Sequence, residues 1–177
     1  MSETTYPTPT VEQLLAAEAC REAARRYSYG IDRLDVDTCK SAFWPEATDV
    51  HGAHDGNAWE FFDKVVPSHA RWTFTMHSIY NHQVHVDADA QGVGDTARGE
   101  MYCITNLYMA DEREMSTWYG RYQDAYERRG DEWRIIRRVC VHHGTTVDTD
   151  VDPMEIDAAP YRQASFDRPA AGRPIGP

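Results

Sequence analysis

The segment Tyr27-Ser28-Tyr29-Gly30-Ile31-Asp32 ends the first amphipathic stretch of the chain with a tyrosine and an aspartate. A histidine follows far downstream, in Thr75-Met76-His77-Ser78. A carboxylate that supports an imidazole, next to a phenol, is enough to abstract a proton from carbon or expel a leaving group without a cofactor. We therefore predict a catalytic site that contains Asp32 and His77, with Tyr27 beside them.

The residues that precede this segment predict a long helix. Small and apolar residues recur at every fourth position from Val11 to Ile31, while charged residues fall mostly between them. The helix is expected to run to Asp32. Gly30 is a predicted loosening point near its end, which would let the Asp32 side chain turn inward.

The rest of the chain predicts two more helices and then a series of strands. A short helix is expected at 35–44, a first short strand at 46–52 and a third helix at 57–70. His51 and His54 fall in a predicted loop and are interpreted as surface residues. Long β-rich runs follow at 71–87, 92–110, 116–129 and 133–146. Strands in a row after helices predict an α+β fold, with an antiparallel sheet and the helices on one face.

Composition and charge fit one domain and exclude two classes of partner. With 177 residues, 41% of them hydrophobic, the chain can bury one core, which we assign to residues 11–146. Residues 1–10 are interpreted as an extension and 147–177 as an acidic, then proline-rich tail. The net charge of −11 repels nucleic-acid phosphates and anionic lipids. No segment is typical of a membrane span or a signal peptide, so we expect a cytoplasmic protein.

The order of the elements and three short motifs resemble a known superfamily. The order is that of the cone-shaped α+β barrels of the nuclear transport factor 2-like superfamily. Its SnoaL-like branch includes scytalone dehydratase, the bile acid dehydratase and hexachlorocyclohexane dehydrochlorinase. The motifs that resemble this branch are Tyr27 to Asp32, Thr75 to His77 followed by Asn81, and Tyr126 to Trp133 leading into Arg138. The resemblance covers about residues 11–146 and implies a curved, mainly antiparallel sheet with three helices packed on it.

The resemblance also implies roles for individual residues. Asp32 and His77 correspond to a catalytic dyad inside the cone. Arg138 matches an arginine that lies in the pocket of the dehydrochlorinase, and Tyr27 matches a tyrosine of the bile acid dehydratase. The implied chemistry needs no cofactor.

Side-chain alternation along the predicted strands adds candidate substrate contacts. Cys140 and His142 share a face with Arg138 in the last strand, so all three face the pocket together. Trp118 and Tyr122 share a face of the preceding strand and would form an aromatic wall for an apolar substrate. The candidate substrate-binding residues are Phe43, Trp118, Tyr122, Cys140 and His142.

The opposite face of the last strand predicts an oligomer. It carries an apolar row that three helices cannot cover, and exposed apolar surface marks interfaces. Because the related lyases are trimers, we expect a homotrimer through this face, with a dimer as the alternative. The residues of the row are Trp133, Ile135, Val139 and Val141.

Each candidate residue also has an ordinary structural interpretation. Asp32 would be a solvated helix-end carboxylate, and His77 a strand histidine satisfied by the backbone. Tyr27 would be a core tyrosine on the apolar stripe of the helix. Arg138 would be an exposed strand residue paired with one of the many carboxylates.

Two histidine pairs raise the alternative of a metal site. His142 and His143 are adjacent, and His82 and His85 are three residues apart. Side chains two residues apart share a face of a strand, so neither pair converges in a regular strand. We therefore expect no metal.

The pattern as a whole indicates a cofactor-independent lyase, a dehydratase or related β-eliminating enzyme, that acts on a small and largely apolar cyclic compound. His77 would remove the proton and Asp32 would orient it. Isomerisation and polyketide-type cyclisation use the same machinery and remain alternatives. A further alternative is a non-catalytic association module, or a protein similar to the small subunit of ring-hydroxylating dioxygenases.

Overall fold

Three helices and six strands make up the part of the chain that the computed structural model describes, residues 8–88 and 92–151. Within these residues no helix is long and apolar enough to cross a bilayer. The helices are α1 (Val11–Asp32), α2 (Val36–Ser41) and α3 (Ala58–Ser68), the last followed by a 3₁₀ turn at His69–Arg71. The strands are β1 (Phe43–His51), β2 (His54–Asn57), β3 (Phe74–Val86), β4 (Thr96–Met109), β5 (Glu114–Arg129) and β6 (Glu132–Asp148).

The strands form one curved sheet with the order β2-β1-β6-β5-β4-β3. Every neighbouring pair is antiparallel except β1 and β6, which run parallel. The predicted α+β fold, a mainly antiparallel sheet with three helices packed on it, is confirmed. The sheet does not close into a complete barrel within the described residues, because β2 and β3 remain its two edges.

Helix α1 lies against the sheet through a face of small side chains. Its first turn is capped reciprocally: the Thr10 hydroxyl accepts from the Gln13 backbone N–H, and the Gln13 side chain accepts from the Thr10 N–H. The buried face contains Ala16, Ala17, Cys20, Ala23, Ala24 and Tyr27. Small side chains let the helix axis approach the sheet closely, so that its last residue, Asp32, reaches strand β3.

Gly30 has a different function from the predicted one. The helix does not loosen there but continues to Asp32. A Cβ at Gly30 would lie 2.7 Å from Cys39 Sγ and 2.8 Å from Cys39 N, so only glycine lets α2 pack this closely on α1. The contact sets the sharp turn between the two helices, which follows directly after Asp32.

The predicted boundaries around α2 and β1 are wrong. Helix α2 ends at Ser41, not at Trp44, and Phe43 already pairs with Ile135 of β6. Pairing with β6 overrides the helical pattern because it satisfies backbone groups, such as Ala42 O, which accepts from Ile135 N at 2.9 Å. Strand β2 was not predicted: His54 was interpreted as a loop residue, and Asn57 as the start of the third helix.

A β-bulge in β6 changes which side chains face the core. Ala125 pairs with Arg137, but the next residue, Tyr126, pairs with Ile135, so Ile136 is an extra residue. Simple alternation fails across it: Ile135 and Arg138 are both fully buried, and Trp133 is 5% exposed. The prediction that Trp133 and Ile135 lie on the outer face of the sheet is therefore wrong.

We predict that Gly30→Ala destabilises the protein by about 1–3 kcal/mol, because its methyl group overpacks the contact with Cys39. Gly144→Ala is the matched control, since a Cβ at Gly144 has no heavy atom within 4 Å. The free energy of unfolding of both variants is to be measured by urea denaturation. Equal stability of the two would contradict the packing explanation for Gly30.

Candidate active site

The carboxylate of Asp32 lies against the imidazole of His77 at the end of α1. Asp32 Oδ1 accepts a hydrogen bond from His77 Nδ1 at 2.6 Å. The predicted contact between these two side chains is therefore present. With Nδ1 engaged by the carboxylate, Nε2 is the ring nitrogen that remains for a substrate proton.

Two further hydrogen bonds hold the Asp32 carboxylate in place. Oδ1 accepts from the Thr75 hydroxyl at 2.8 Å, and Oδ2 accepts from the His77 backbone N–H at 2.7 Å. The side chains of Asp32 and His77 are 16% and 6% exposed. Both border a depression of about 410 Å³ between α1 and β3. The pair is thus rigidly held and lies next to space that a small molecule can enter.

Tyr27 lies one helical turn before Asp32 and packs on the His77 ring, with the ring centroids 6.3 Å apart in an edge-to-face arrangement. It is fully buried, and its hydroxyl has no hydrogen-bond partner among the described residues. Burial raises the pKa of Tyr27 well above its usual value, although the charge of Arg138 opposes this. The phenol therefore remains a proton donor at neutral pH.

Arg138 is fully buried next to Tyr27, which contradicts its interpretation as an exposed strand residue. Its Nε and Nη2 each donate to Asp124 at 2.7 Å. Its guanidinium carbon lies 4.4 Å and 4.3 Å from the ring centroids of Tyr27 and Tyr122. Burial disfavours the charge, but Asp124 outweighs this effect and raises the pKa of Arg138. The remaining nitrogen, Nη1, has no hydrogen-bond partner among the described residues.

The predicted substrate-binding residues extend from the buried Tyr27 to the exposed His142. Phe43 and Tyr122 are buried around Tyr27, at ring distances of 6.0 Å and 5.9 Å. Trp118 stacks on Tyr122 at 6.1 Å and lies 6.0 Å from the ring of His142. His142 is exposed, and its Nε2 lies 2.9 Å from the Thr145 hydroxyl. Cys140 is half-buried between these two ends.

Three residues of this region were not predicted as site residues from the sequence. Asp49 and His51 lie on β1 and face inward, although His51 had been interpreted as a surface residue of a loop. The signal was their alternation with Ala47 within the strand predicted at 46–52, which puts all three side chains on one face. His69, directly after α3, stacks beside His77 with the ring centroids 6.0 Å apart.

His69 and His77 differ in their surroundings even though they are neighbours. Burial, assisted by the proximity of His77, lowers the pKa of His69 to about 4. The Nδ1 of His69 has no hydrogen-bond partner among the described residues. His69 is therefore a neutral imidazole at physiological pH and adds a hydrogen-bonding group without a charge.

The arrangement combines a base with donors for a developing negative charge. The Asp32-supported imidazole of His77 can accept a proton, and Tyr27 Oη and Arg138 Nη1 are buried donors nearby. Among the described residues no group of three or more histidine, cysteine, aspartate or glutamate side chains is arranged to hold a metal ion.

Comparison with known proteins places the chain in a family. The family model of the SnoaL-like domain matches residues 12–139. An uncharacterized protein of Mycobacterium tuberculosis is 30% identical over 122 residues, which span 64% of this chain and 76% of that protein.

Several solved structures share the fold at low sequence identity. A hexachlorocyclohexane dehydrochlorinase from Novosphingobium barchaimii has a TM-score of 0.68 at 17% identity, over 82% of this chain and 99% of its own. A candidate scytalone dehydratase from Novosphingobium aromaticivorans has a TM-score of 0.64 at 18% identity, over 75% and 87%. A nuclear transport factor 2-like protein from Salmonella enterica has a TM-score of 0.62 at 18% identity, over 74% and 93%. The chain belongs to the SnoaL-like family.

Proposed function

We propose that the protein is a cofactor-independent lyase that removes water, or a related leaving group, from a small and largely apolar cyclic compound. The observation that carries the proposal is the 2.6 Å hydrogen bond between Asp32 and His77 Nδ1. Behind the His77 ring pack Tyr27 and then Arg138, each with a buried donor that has no partner among the described residues. An imidazole oriented in this way by a carboxylate is a general base.

In the proposed reaction His77 Nε2 takes the proton from the carbon next to an activating group. Asp32 keeps Nδ1 protonated, so that Nε2 is the basic nitrogen, and its negative charge stabilises the imidazolium that forms. The other hydrogen bonds of the carboxylate, from the Thr75 hydroxyl and the His77 backbone N–H, keep it in position beside the ring.

The negative charge that develops on the substrate needs donors that are already in place. Tyr27 Oη and Arg138 Nη1 meet this need, because both are buried and neither has another partner among the described residues. Asp124 holds the guanidinium through its other two nitrogens, so Nη1 does not have to break a bond to act. The rings of Phe43, Tyr122 and Trp118 would surround the apolar part of the substrate.

We favour elimination over the alternatives because the proteins with this fold include a dehydrochlorinase and a candidate dehydratase. Isomerisation and cyclisation begin with the same proton abstraction, so they remain the second candidate. All three reactions begin by removal of the substrate α-proton, which solvent exchange reports when the carbanion returns to substrate, and only elimination also releases the leaving group.

We predict that His77→Ala lowers turnover by roughly 10²–10⁴-fold, because it removes the base. Asp32→Asn should cost a similar factor, and the double variant little more, because the two side chains act as one unit. Tyr27→Phe should have a milder effect. The probe is 3-hydroxycyclohexanone: enone formation is followed by absorbance and α-proton exchange in D₂O by NMR. A hexachlorocyclohexane is the second probe.

The matched control is His85→Ala, since His85 lies on the same strand with its side chain 75% exposed. Its activity should equal that of the unaltered protein. A folded His77→Ala variant that keeps full activity would contradict the proposal. The proposal would also be contradicted if the unaltered protein catalysed neither proton exchange nor elimination with either probe.

We also propose that the protein forms a homotrimer, or else a dimer, through the outer face of the sheet. The β-bulge removes Trp133 and Ile135 from this face, but other side chains supply apolar surface. Tyr80 and Tyr102 are cross-strand partners and are 43% and 46% exposed. Met76 on β3 adds to the patch at 53% exposure. Exposed apolar groups of this kind are typical of interfaces.

We predict that Tyr102→Lys lowers the molecular mass in light scattering toward that of a monomer at micromolar concentration. A charge in the centre of an apolar contact has to be desolvated, which weakens association. Val11→Lys, at the exposed start of α1, is the control and should keep the mass of the unaltered protein. A monomeric unaltered protein would contradict the proposed assembly.

A further inference from the structure

Strand β1 brings a second carboxylate and imidazole to the interior. Asp49 is fully buried, and His51 follows two residues later on the same face, with 26% of its side chain exposed. Asp49 Oδ1 lies 3.6 Å from His51 Nδ1, which is an ion-pair distance but too long for a hydrogen bond. Neither carboxylate oxygen of Asp49 has a hydrogen-bond partner among the described residues.

A buried carboxylate without a hydrogen bond is costly, so its charge needs compensation. Arg138 is the cross-strand neighbour of Asp49, but its Nε and Nη2 already bind Asp124. The charge of Arg138 still acts on Asp49 from the neighbouring strand, and His51 is the cationic group that lies at ion-pair distance from it. Two acidic and two basic side chains thus meet in this part of the molecule: Asp124, Arg138, Asp49 and His51.

The surroundings of His51 favour its protonated form. Its ring stacks on Phe61 at 5.0 Å and lies 6.0 Å from Tyr122, while Cys140 of β6 faces it. Burial lowers the pKa of His51, but Asp49 and Cys140 outweigh burial and raise it to about 9. The 3₁₀ turn contributes His69, which is neutral, and Arg71, whose charge acts on His69 and whose guanidinium lies over the Trp72 ring.

A continuous line of ring contacts connects this pair to His77. His77 packs on Tyr27, Tyr27 on Tyr122, and Tyr122 on His51, with centroid distances of 6.3, 5.9 and 6.0 Å. Both His51 and His77 are also close enough for their charges to act on His69. The two imidazoles therefore approach the Tyr27 and Tyr122 rings and His69 from β1 and from β3.

We propose that His51, supported by Asp49, is the general acid that protonates the leaving oxygen of a hydroxyl-bearing substrate, while His77 acts as the base. The inference rests on the proposed function. It deepens that function by naming the substrate class: ring compounds that lose a hydroxyl group β to an activating carbonyl.

The proton and electron balance of the step is complete. His77 Nε2 takes the proton from carbon, and the electron pair of the broken C–H bond forms the C=C bond. The C–O bond breaks, and its electrons go to the oxygen, which takes the proton of His51 and leaves as water. His77 ends protonated and His51 neutral, and one proton returns from His77 to His51 through solvent.

The first experiment measures the charge of His51 without a substrate. Histidine ring signals of the full-length protein are titrated by NMR, and the His51 signal is assigned as the one lost in His51→Gln. We expect a midpoint near pH 9. Asp49→Asn should lower it by more than one pH unit, while the Asp55→Asn control should leave it unchanged. A midpoint at the ordinary value, or one insensitive to Asp49→Asn, overturns the proposal.

The second experiment separates the acid from the base. With 3-hydroxycyclohexanone, His51→Gln should lower elimination roughly 10²-fold or more, but α-proton exchange less than tenfold. Elimination should decline as the pH rises through about 9, where His51 loses its proton, and Asp49→Asn should move this decline to lower pH. His77→Ala should lower both rates. Circular dichroism verifies that each variant is folded.

The outcomes distinguish the two proposals. If the unaltered protein catalyses exchange and elimination, and His51→Gln lowers neither, or both equally, the acid role is wrong and the proposed function stands. If His77→Ala retains exchange and elimination, the proposed function fails. In that case an Asp49-dependent titration of His51 would show only a structural ion pair, which also overturns the acid role.

Discussion

The Asp32 carboxylate joins the end of α1 to the start of β3, and the geometry of the site depends on this connection. It accepts one hydrogen bond from the His77 ring, one from the His77 backbone and one from the Thr75 hydroxyl. Hydrogen bonds to a charged group each contribute about 1.5–3 kcal/mol, enough to offset the partial loss of water around the carboxylate. The same hydrogen bonds fix the position of the helix end relative to the strand and orient the imidazole. They therefore contribute both to the stability of the fold and to the proposed chemistry.

The interior beyond this connection is unusually polar for a domain of this size. Arg138 and Asp124 form a fully buried, two-pronged ion pair, and Tyr126 donates to Asp124 at 3.0 Å. Removing one partner of such a pair typically costs about 3–5 kcal/mol, because the other charge is left uncompensated. Aromatic rings on both sides of the guanidinium exclude water and keep its free nitrogen in one place. A core built in this way gives up some stability and gains donors that are already oriented before a substrate binds.

Individual elements show how much of the structure can be predicted from the sequence alone. The regular spacing of apolar residues was sufficient to predict helix α1, because a long amphipathic stretch has one apolar face that must be buried. Residue type made Asp32 and His77 candidates, and the resemblance to a family implied their pairing, since no local pattern links residues 45 positions apart. Phe43 was assigned to a helix, and it lies in β1 because backbone pairing with β6 supplies hydrogen bonds that a local pattern does not reveal. His51 was interpreted as a surface residue although the strand predicted at 46–52 includes it, and its alternation with the buried Ala47 and Asp49 places it on the inner face.

The sequence by itself determined which chemical groups are present, the secondary structure of its long periodic segments and the family to which the chain belongs. Only the tertiary structure decided which of these groups meet and which way they face. In β6 a single extra residue, Ile136, places Ile135 and Arg138 together in the core, whereas strict alternation assigns them to opposite faces. The physical reason is that the face to which each side chain of a strand points depends on the register with the neighbouring strands. Burial of a charged side chain likewise depends on partners that lie on strands distant in sequence.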